Sequence, residues 1–204
     1  MCAHYETLPE GPEPFAEYRL TWASPKLSET RGEMYPRYVG PVIRLRDGER
    51  GLDAMAWGLI PFWASQPDPK KFRANFNARA ETIGTTASFR SPLKSRRCLV
   101  PAAAFTEFPT IGETKVKHRI ARADGKPIIF AGLWDCWRRD DDELYTFTII
   151  TTESNEELRW LHGRMPVALP RPAQEAWLDP DLPPAEARAL LVCPLAKEYE
   201  ATPV

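Results

Sequence analysis

The sequence predicts an α+β fold, with a β-dominated core and short helices at its periphery. Three observations predict it. Strand-like runs rich in Ile, Val, Phe and Thr recur from Pro41 onward, separated by Pro, Gly or Asp. Proline occurs 21 times, spread along the chain, and because it ends helices and is excluded from central strands it cuts the chain into many short elements. The helical patterns that remain are short, and two of them open on proline.

Taken in order, the first forty residues mix Pro, Gly, Glu and aromatics without clear periodicity, which reads as irregular chain with room for one helix. Strands are expected at Val42–Leu45, Met55–Ile60, Cys98–Phe108, Ile128–Trp134 and Leu144–Thr151. Ser154, followed three residues later by Glu157, has the form of a capping box ahead of Leu158 and Leu161, so a short helix is expected to end near His162. Pro172–Leu178 and Pro184–Leu191 read as two further helices. No linker, repeat or low-complexity tract divides the chain, and residues 1–204 are expected to form one domain.

Composition narrows the classes of function. An apolar fraction of 43% and a charged fraction of 27% match an ordinary globular protein. The formal net charge of −1 means that the molecule as a whole does not attract polyanions, so nucleic-acid binding requires a local basic patch. Arg90, Lys94, Arg96 and Arg97 form one candidate, and a solvated surface turn explains the same run equally well. No apolar run approaches the roughly 20 residues of a membrane-spanning helix. The opening Met-Cys-Ala-His-Tyr-Glu has no basic segment leading into an apolar one, so a cytoplasmic protein is expected. The four cysteines show no Cys-x-x-Cys spacing, and Cys98 and Cys136 lie in apolar strand-like runs, which argues against disulfides and a zinc site.

Cys2 is the residue with distinctive chemistry. A lone cysteine behind an initiator Met is commonly inert. If Met1 is removed, however, Cys2 presents an α-amine and a thiol on neighbouring carbons, which no internal cysteine can do. The amine condenses with an aldehyde to a Schiff base, and the thiol then adds to the imine carbon to close a five-membered thiazolidine. An α-amino group has a pKa of roughly 8, so a useful neutral fraction exists near neutral pH. The pattern points to an aldehyde substrate.

Further blocks accompany Cys2: Trp57-Gly58-Leu59-Ile60-Pro61, Asn77-Ala78-Arg79-Ala80-Glu81-Thr82, Arg97-Cys98-Leu99-Val100-Pro101 running to Phe105-Thr106-Glu107-Phe108, and His162-Gly163-Arg164-Met165-Pro166. In these blocks and their order the sequence resembles the SOS-response-associated peptidase (SRAP) family, whose members crosslink covalently to abasic DNA. The resemblance extends over most of the chain, and it implies that the α+β fold has a coiled, mainly antiparallel, barrel-like β core with short peripheral helices. It implies that Cys2 is the nucleophile and that Asn77, Glu107 and His162 complete the active site. It further implies abasic sites in single-stranded DNA as the substrate, peptidase-like removal of Met1 and an abasic-site lyase step. No metal or organic cofactor is required. A monomer is expected, bound to no membrane and associated with the nucleoid when on DNA.

Each of these residues also has a physical warrant. A carboxyl such as Glu107 suits the proton transfers of Schiff-base chemistry, and within an apolar run it would have a raised pKa if buried; an outward-facing strand position explains it equally well. His162 can assist ring opening of the sugar or serve a helix C-terminus. Asn77 can orient the amine without changing the charge of the site, or cap a turn. Arg79, two residues beyond Asn77, and Arg164 are candidates to grip phosphates, with surface ion pairs as the commoner fate of arginine. Phe62 and Trp63 can supply an aromatic surface for an unstacked base. The chain departs from the family pattern at Cys2-Ala3-His4, where many members read Cys-Gly-Arg. His4 then offers DNA an imidazole, mostly neutral at pH 7, in place of a guanidinium. Arg37-Tyr38-Val39-Gly40-Pro41, Phe108 and Gly163 also replace usual family residues. Two other classes fit the residues: a cysteine-type peptidase or amidase in which His162 activates the thiol, and a non-enzymatic single-strand binding module.

Overall fold

The computed structural model describes residues 2–9, 13–68, 73–194 and 196–204, leaving aside the side chains of residues 73 and 74. Five strands close into a barrel. Asp142–Glu153 pairs with Ile128–Arg139, which pairs with Arg97–Ala102, then Val39–Arg46, then Glu49–Trp57, each pair antiparallel. A parallel contact, Thr146 opposite Ala56 and Phe147 opposite Trp57, closes the ring. Local sequence makes the hairpins. Asp47 and Gly48 both take positive φ (54° and 81°) between two barrel strands, the conformation that matches a tight hairpin to strand twist. Asp140, at φ 51°, helps to turn the next hairpin, where Arg139 faces Asp142.

The barrel wall is buried on both faces, which is why its strands read as continuous apolar runs. Val42, Cys98, Val100, Phe130, Phe147 and Ile149 fill the interior. Their neighbours Ile43, Leu99, Ile129, Ala131 and Ile150 point outward into a second cluster shared with Trp177, Leu178 and Ala187 of the outer helices. That alternation is the period of two expected of a strand. Fully burying one such side chain contributes roughly 1.5–3 kcal/mol. The helices Arg171–Leu178 and Pro184–Ala189 occur close to their expected positions.

A second sheet leans on the barrel, in the order Tyr199–Pro203, His118–Arg122, Ala104–Glu107, Tyr5–Glu6, Glu33–Met34. The run expected as one strand from Cys98 to Phe108 is thus two. It breaks at Ala103, whose N–H donates to Glu6 O at 2.8 Å, and the chain passes there from the barrel into the second sheet.

Two other expectations are corrected. The segment after Ser154 forms hydrogen-bonded turns rather than a helix. Ser154 Oγ donates to His162 O at 2.6 Å, whereas Asn155 Oδ1 accepts from Leu158 N–H at 2.9 Å, so the local cap is Asn155 and only a turn follows. The basic run forms a short helix, Arg90–Ser95, ahead of the barrel strand, and its cationic patch is partly dissolved. The Arg97 guanidinium donates to the carbonyls of Trp177, Leu93 and Asp179, and Arg96 pairs with the buried Asp135.

Candidate active site

Antiparallel pairing sets residue 2 beside Glu107. Tyr5 faces Phe105, Glu6 faces Ala104, and Thr106 N–H donates to His4 O at 2.9 Å. That register lays residues 2–4 along the Glu107 end of the strand. Cys2 is wholly buried in the interior cluster with Trp57, Phe147, Leu161 and Met165. Its thiol donates to the carbonyl of His4 at 3.8 Å. Burial, and then the Glu107 carboxylate, push the thiol pKa up, opposed by the His4 carbonyl and by the positive amino terminus of the chain. Met1, whose removal the aminothiol requires, lies outside the described residues.

Asn77 is brought to Cys2 by the Trp57 block. Trp57 is fully buried, and its Nε1–H donates to Phe76 O at 2.7 Å. Leu59 N–H donates to Asn75 O at 3.1 Å, and Asn75 Nδ2 returns a bond to Leu59 O at 3.0 Å. Gly58 makes the exit from the barrel strand with φ 132°, a conformation costly for any side chain. Held from that side, Asn77–Arg79 pairs in parallel with the barrel strand, Asn77 opposite Ile149. Asn77 Nδ2–H then donates to Cys2 O at 2.7 Å, and the buried Oδ1 has no hydrogen-bond partner among the described residues. An acceptor thus stands free at the position where an amine or hydroxyl can use it.

Glu107 is 5% exposed. Burial raises its pKa above the ordinary carboxylate range, and the positive amino terminus pulls it back. Burial and the same terminal charge push the His162 pKa down. His162 Nδ1 lies 2.9 Å from Arg164 N and 3.2 Å from Arg164 O. The shorter contact makes Nδ1 the acceptor, which places the proton of the neutral ring on Nε2.

The remaining sequence candidates are distributed less tightly. Arg79 is exposed and forms no ion pair with a described residue. Arg164 is anchored to Glu81 Oε2 at 2.9 Å and to Thr151 Oγ1 and O at 3.2 and 2.8 Å, so most of its donors are used within the fold. His4 is buried, stacked on Tyr35 at 4.5 Å with Glu33 at 3.7 Å from Nε2. Phe62 and Trp63 are half exposed on a loop anchored by Asp135 Oδ2, which accepts from Phe62 N–H at 3.0 Å, and Arg96 covers the Phe62 ring at 5.6 Å. A cavity of about 1190 Å³ lies elsewhere, among Leu8, Phe15, Trp22, Leu27 and Leu52, and none of the four site residues lines it.

One neighbour was not read from the sequence. His118 is buried and stands opposite Glu107 in antiparallel register. Its signal in the sequence was faint, a short His118-Arg119-Ile120-Ala121-Arg122 run in a stretch assigned to no element. Chemically, the buried Cys2, Asn77 and Glu107 offer a thiol kept protonated, an amide acceptor and a carboxyl with raised proton affinity, and His162, half-buried, adds a neutral imidazole.

The model of the SOS response associated peptidase (SRAP) family matches residues 1–204. The "Abasic site processing protein YoqW" of Bacillus subtilis is 36% identical over 188 residues, covering 88% of this chain and 81% of that one. The "Abasic site processing protein HMCES" of Gallus gallus is 32% identical over 188 residues, 76% of this chain and 56% of that one. A crystal structure of a protein from Bacteroides thetaiotaomicron superposes with a TM-score of 0.90 at 28% identity, covering all of this chain and 92% of that one. The closed barrel, the blocks around Cys2, Asn77, Glu107 and His162, and a family match over the full length together establish that this chain belongs to the SRAP family.

Proposed function

We propose that this protein processes abasic sites in single-stranded DNA by forming a covalent thiazolidine between the lesion and Cys2, once Met1 has been removed. The observation that carries the proposal is the buried contact between Asn77 and the Cys2 carbonyl, with Glu107 acting on the same thiol. Relatives named abasic site processing proteins support it.

The abasic sugar must first open. A proton reaches the ring oxygen as the anomeric hydroxyl loses one, and C1′ becomes an aldehyde; the Nε2–H of His162 is the donor suited to that oxygen. The α-amine adds to C1′, and the carbinolamine loses water to give the imine. The thiol then adds to the imine carbon, forming the S–C bond, while its proton is taken up through Glu107 and returned to the ring nitrogen. One water is lost in total. A thiol with a raised pKa is a poor first nucleophile, so the amine attacks first and the thiol closes the ring. The free Oδ1 of Asn77 is placed to accept from that amine.

A peptidase in which His162 activates Cys2 gains no support from this geometry, because the thiol donates to the His4 carbonyl and His162 Nδ1 is engaged by Arg164 N–H. Mixing the mature protein with an oligonucleotide that contains one abasic site should give a denaturation-resistant species on a gel, absent when the site is a normal nucleotide. Absence of that species with abasic DNA contradicts the proposal.

A further inference from the structure

Trp160 is 52% exposed, and its indole rests against one buried ring. It meets the His118 ring edge to face, with centroids 5.4 Å apart and planes at 85°. His118 is itself anchored, Nδ1 lying 3.1 Å from the Val116 carbonyl, and it stands opposite Glu107 in the sheet. Directly opposed residues share one face, with Cβ atoms about 4.5–5.5 Å apart. Two positions beyond Trp160 comes His162. The indole therefore marks the solvent boundary of the site, tied through one neighbour to Glu107 and through the chain to His162.

Neither the core nor the chemistry of the aldehyde needs an exposed indole there. We propose that Trp160 is the platform on which the base of the nucleotide next to the abasic residue stacks, and this rests on the capture of abasic DNA proposed above. DNA held at C1′ must continue along the protein, and an abasic residue has no base of its own to keep its neighbours stacked. An aromatic face accepts any base, because every base has a π-face. Glu156, Glu157 and Arg159 are all exposed on that turn, so a phosphate could be held by Arg159 while the indole offers only a stacking face.

The test uses the full-length mature protein, with Trp160→Ala, Trp160→Phe and two kinds of abasic oligonucleotide: one with ordinary bases around the lesion, the other with tetrahydrofuran spacers on both sides. Trp160→Ala should slow capture of the base-flanked lesion roughly 10- to 100-fold, as loss of one stacked base implies, and Trp160→Phe should retain most of the rate. With spacer-flanked DNA the difference between wild type and Trp160→Ala should collapse. Equal rates on base-flanked DNA, or the same loss on both substrates, overturn the platform. If the wild-type protein forms no adduct with either substrate, abasic capture itself fails and takes the platform with it, an outcome read from wild type alone.

Discussion

Asn77 donates its amide hydrogen to the carbonyl oxygen of Cys2 across 2.7 Å, although the two residues stand 75 positions apart. The bond joins the amino-terminal segment, held by the second sheet, to a short strand held by the barrel. It fixes residue 2 without adding charge to a buried site.

Removing that bond should therefore be felt in the chemistry. Asn77→Ala leaves a buried carbonyl without its donor, at a cost of roughly 1–3 kcal/mol. The fold should persist, with crosslinking slowed about tenfold or more as the amine loses its orientation. Single-turnover gels together with thermal melts check this. A wild-type rate in folded Asn77→Ala removes the bond from the mechanism.

Glu107 sets a pH dependence. Burial raises its pKa, so it holds its proton at a pH where an exposed glutamate is ionised. The crosslinking rate should fall toward acid at a higher pH than the ordinary carboxylate value of 4.5, and Glu107→Gln should abolish that limb. Stability carries the same sign. A folded pKa above the unfolded one stabilises the protein fully below the unfolded pKa, and this contribution is lost as pH rises through the folded pKa. Glu107→Gln should thus melt higher than wild type under alkaline conditions, with the gap closing toward acid. The opposite trend would show that the carboxylate is better solvated than its burial implies.

Trp57→Phe tests the clamp behind Asn77. The substitution keeps an aromatic ring but deletes the Nε1–H bond to Phe76 O. A loss of roughly 1–3 kcal/mol in stability is expected, together with slower crosslinking because residues 75–77 are released. Destabilisation with an unchanged rate would separate the clamp from the site.

Arg79 is exposed, on the strand that carries Asn77. Arg79→Ala should weaken capture more at low salt than at high salt and lower the salt slope by about one phosphate contact. An equal loss at every ionic strength indicates a structural role.

Much of the fold was legible because the barrel wall is built from local signals: apolar runs at Val42–Leu45 or Leu144–Thr151, and proline at the start of the outer helices. The bend at Ala103 was not, because it depends on a hydrogen bond to Glu6, nearly a hundred residues away. The Ser154 capping pattern misled because Asn155, one residue on, makes the bond to Leu158 while Ser154 turns to His162 O. The basic run from Arg90, for which a patch and a surface turn were equally good readings, is only in part a patch, since two of its four cations are engaged by the Trp177 carbonyl and by Asp135. At the site, motif blocks pointed to Cys2, Asn77, Glu107 and His162. His118 and Trp160 carry no motif: strand pairing alone sets His118 opposite Glu107, and Trp160 is joined to it only by the contact between their rings.

The thiazolidine is tested most directly by protein that keeps Met1 or any extension ahead of Cys2, compared with the same protein after cleavage leaves Cys2 first. An acylated nitrogen has its lone pair delocalised into the carbonyl and cannot condense with an aldehyde, so the thiol alone can give only a labile hemithioacetal. Intact mass after mixing with abasic single-stranded DNA should show no stable adduct for the extended protein. The mature protein should give a species equal to protein plus DNA minus one water. A stable adduct of the extended protein, formed as readily as that of the mature one, would contradict the mechanism and point to a Schiff base on an internal lysine.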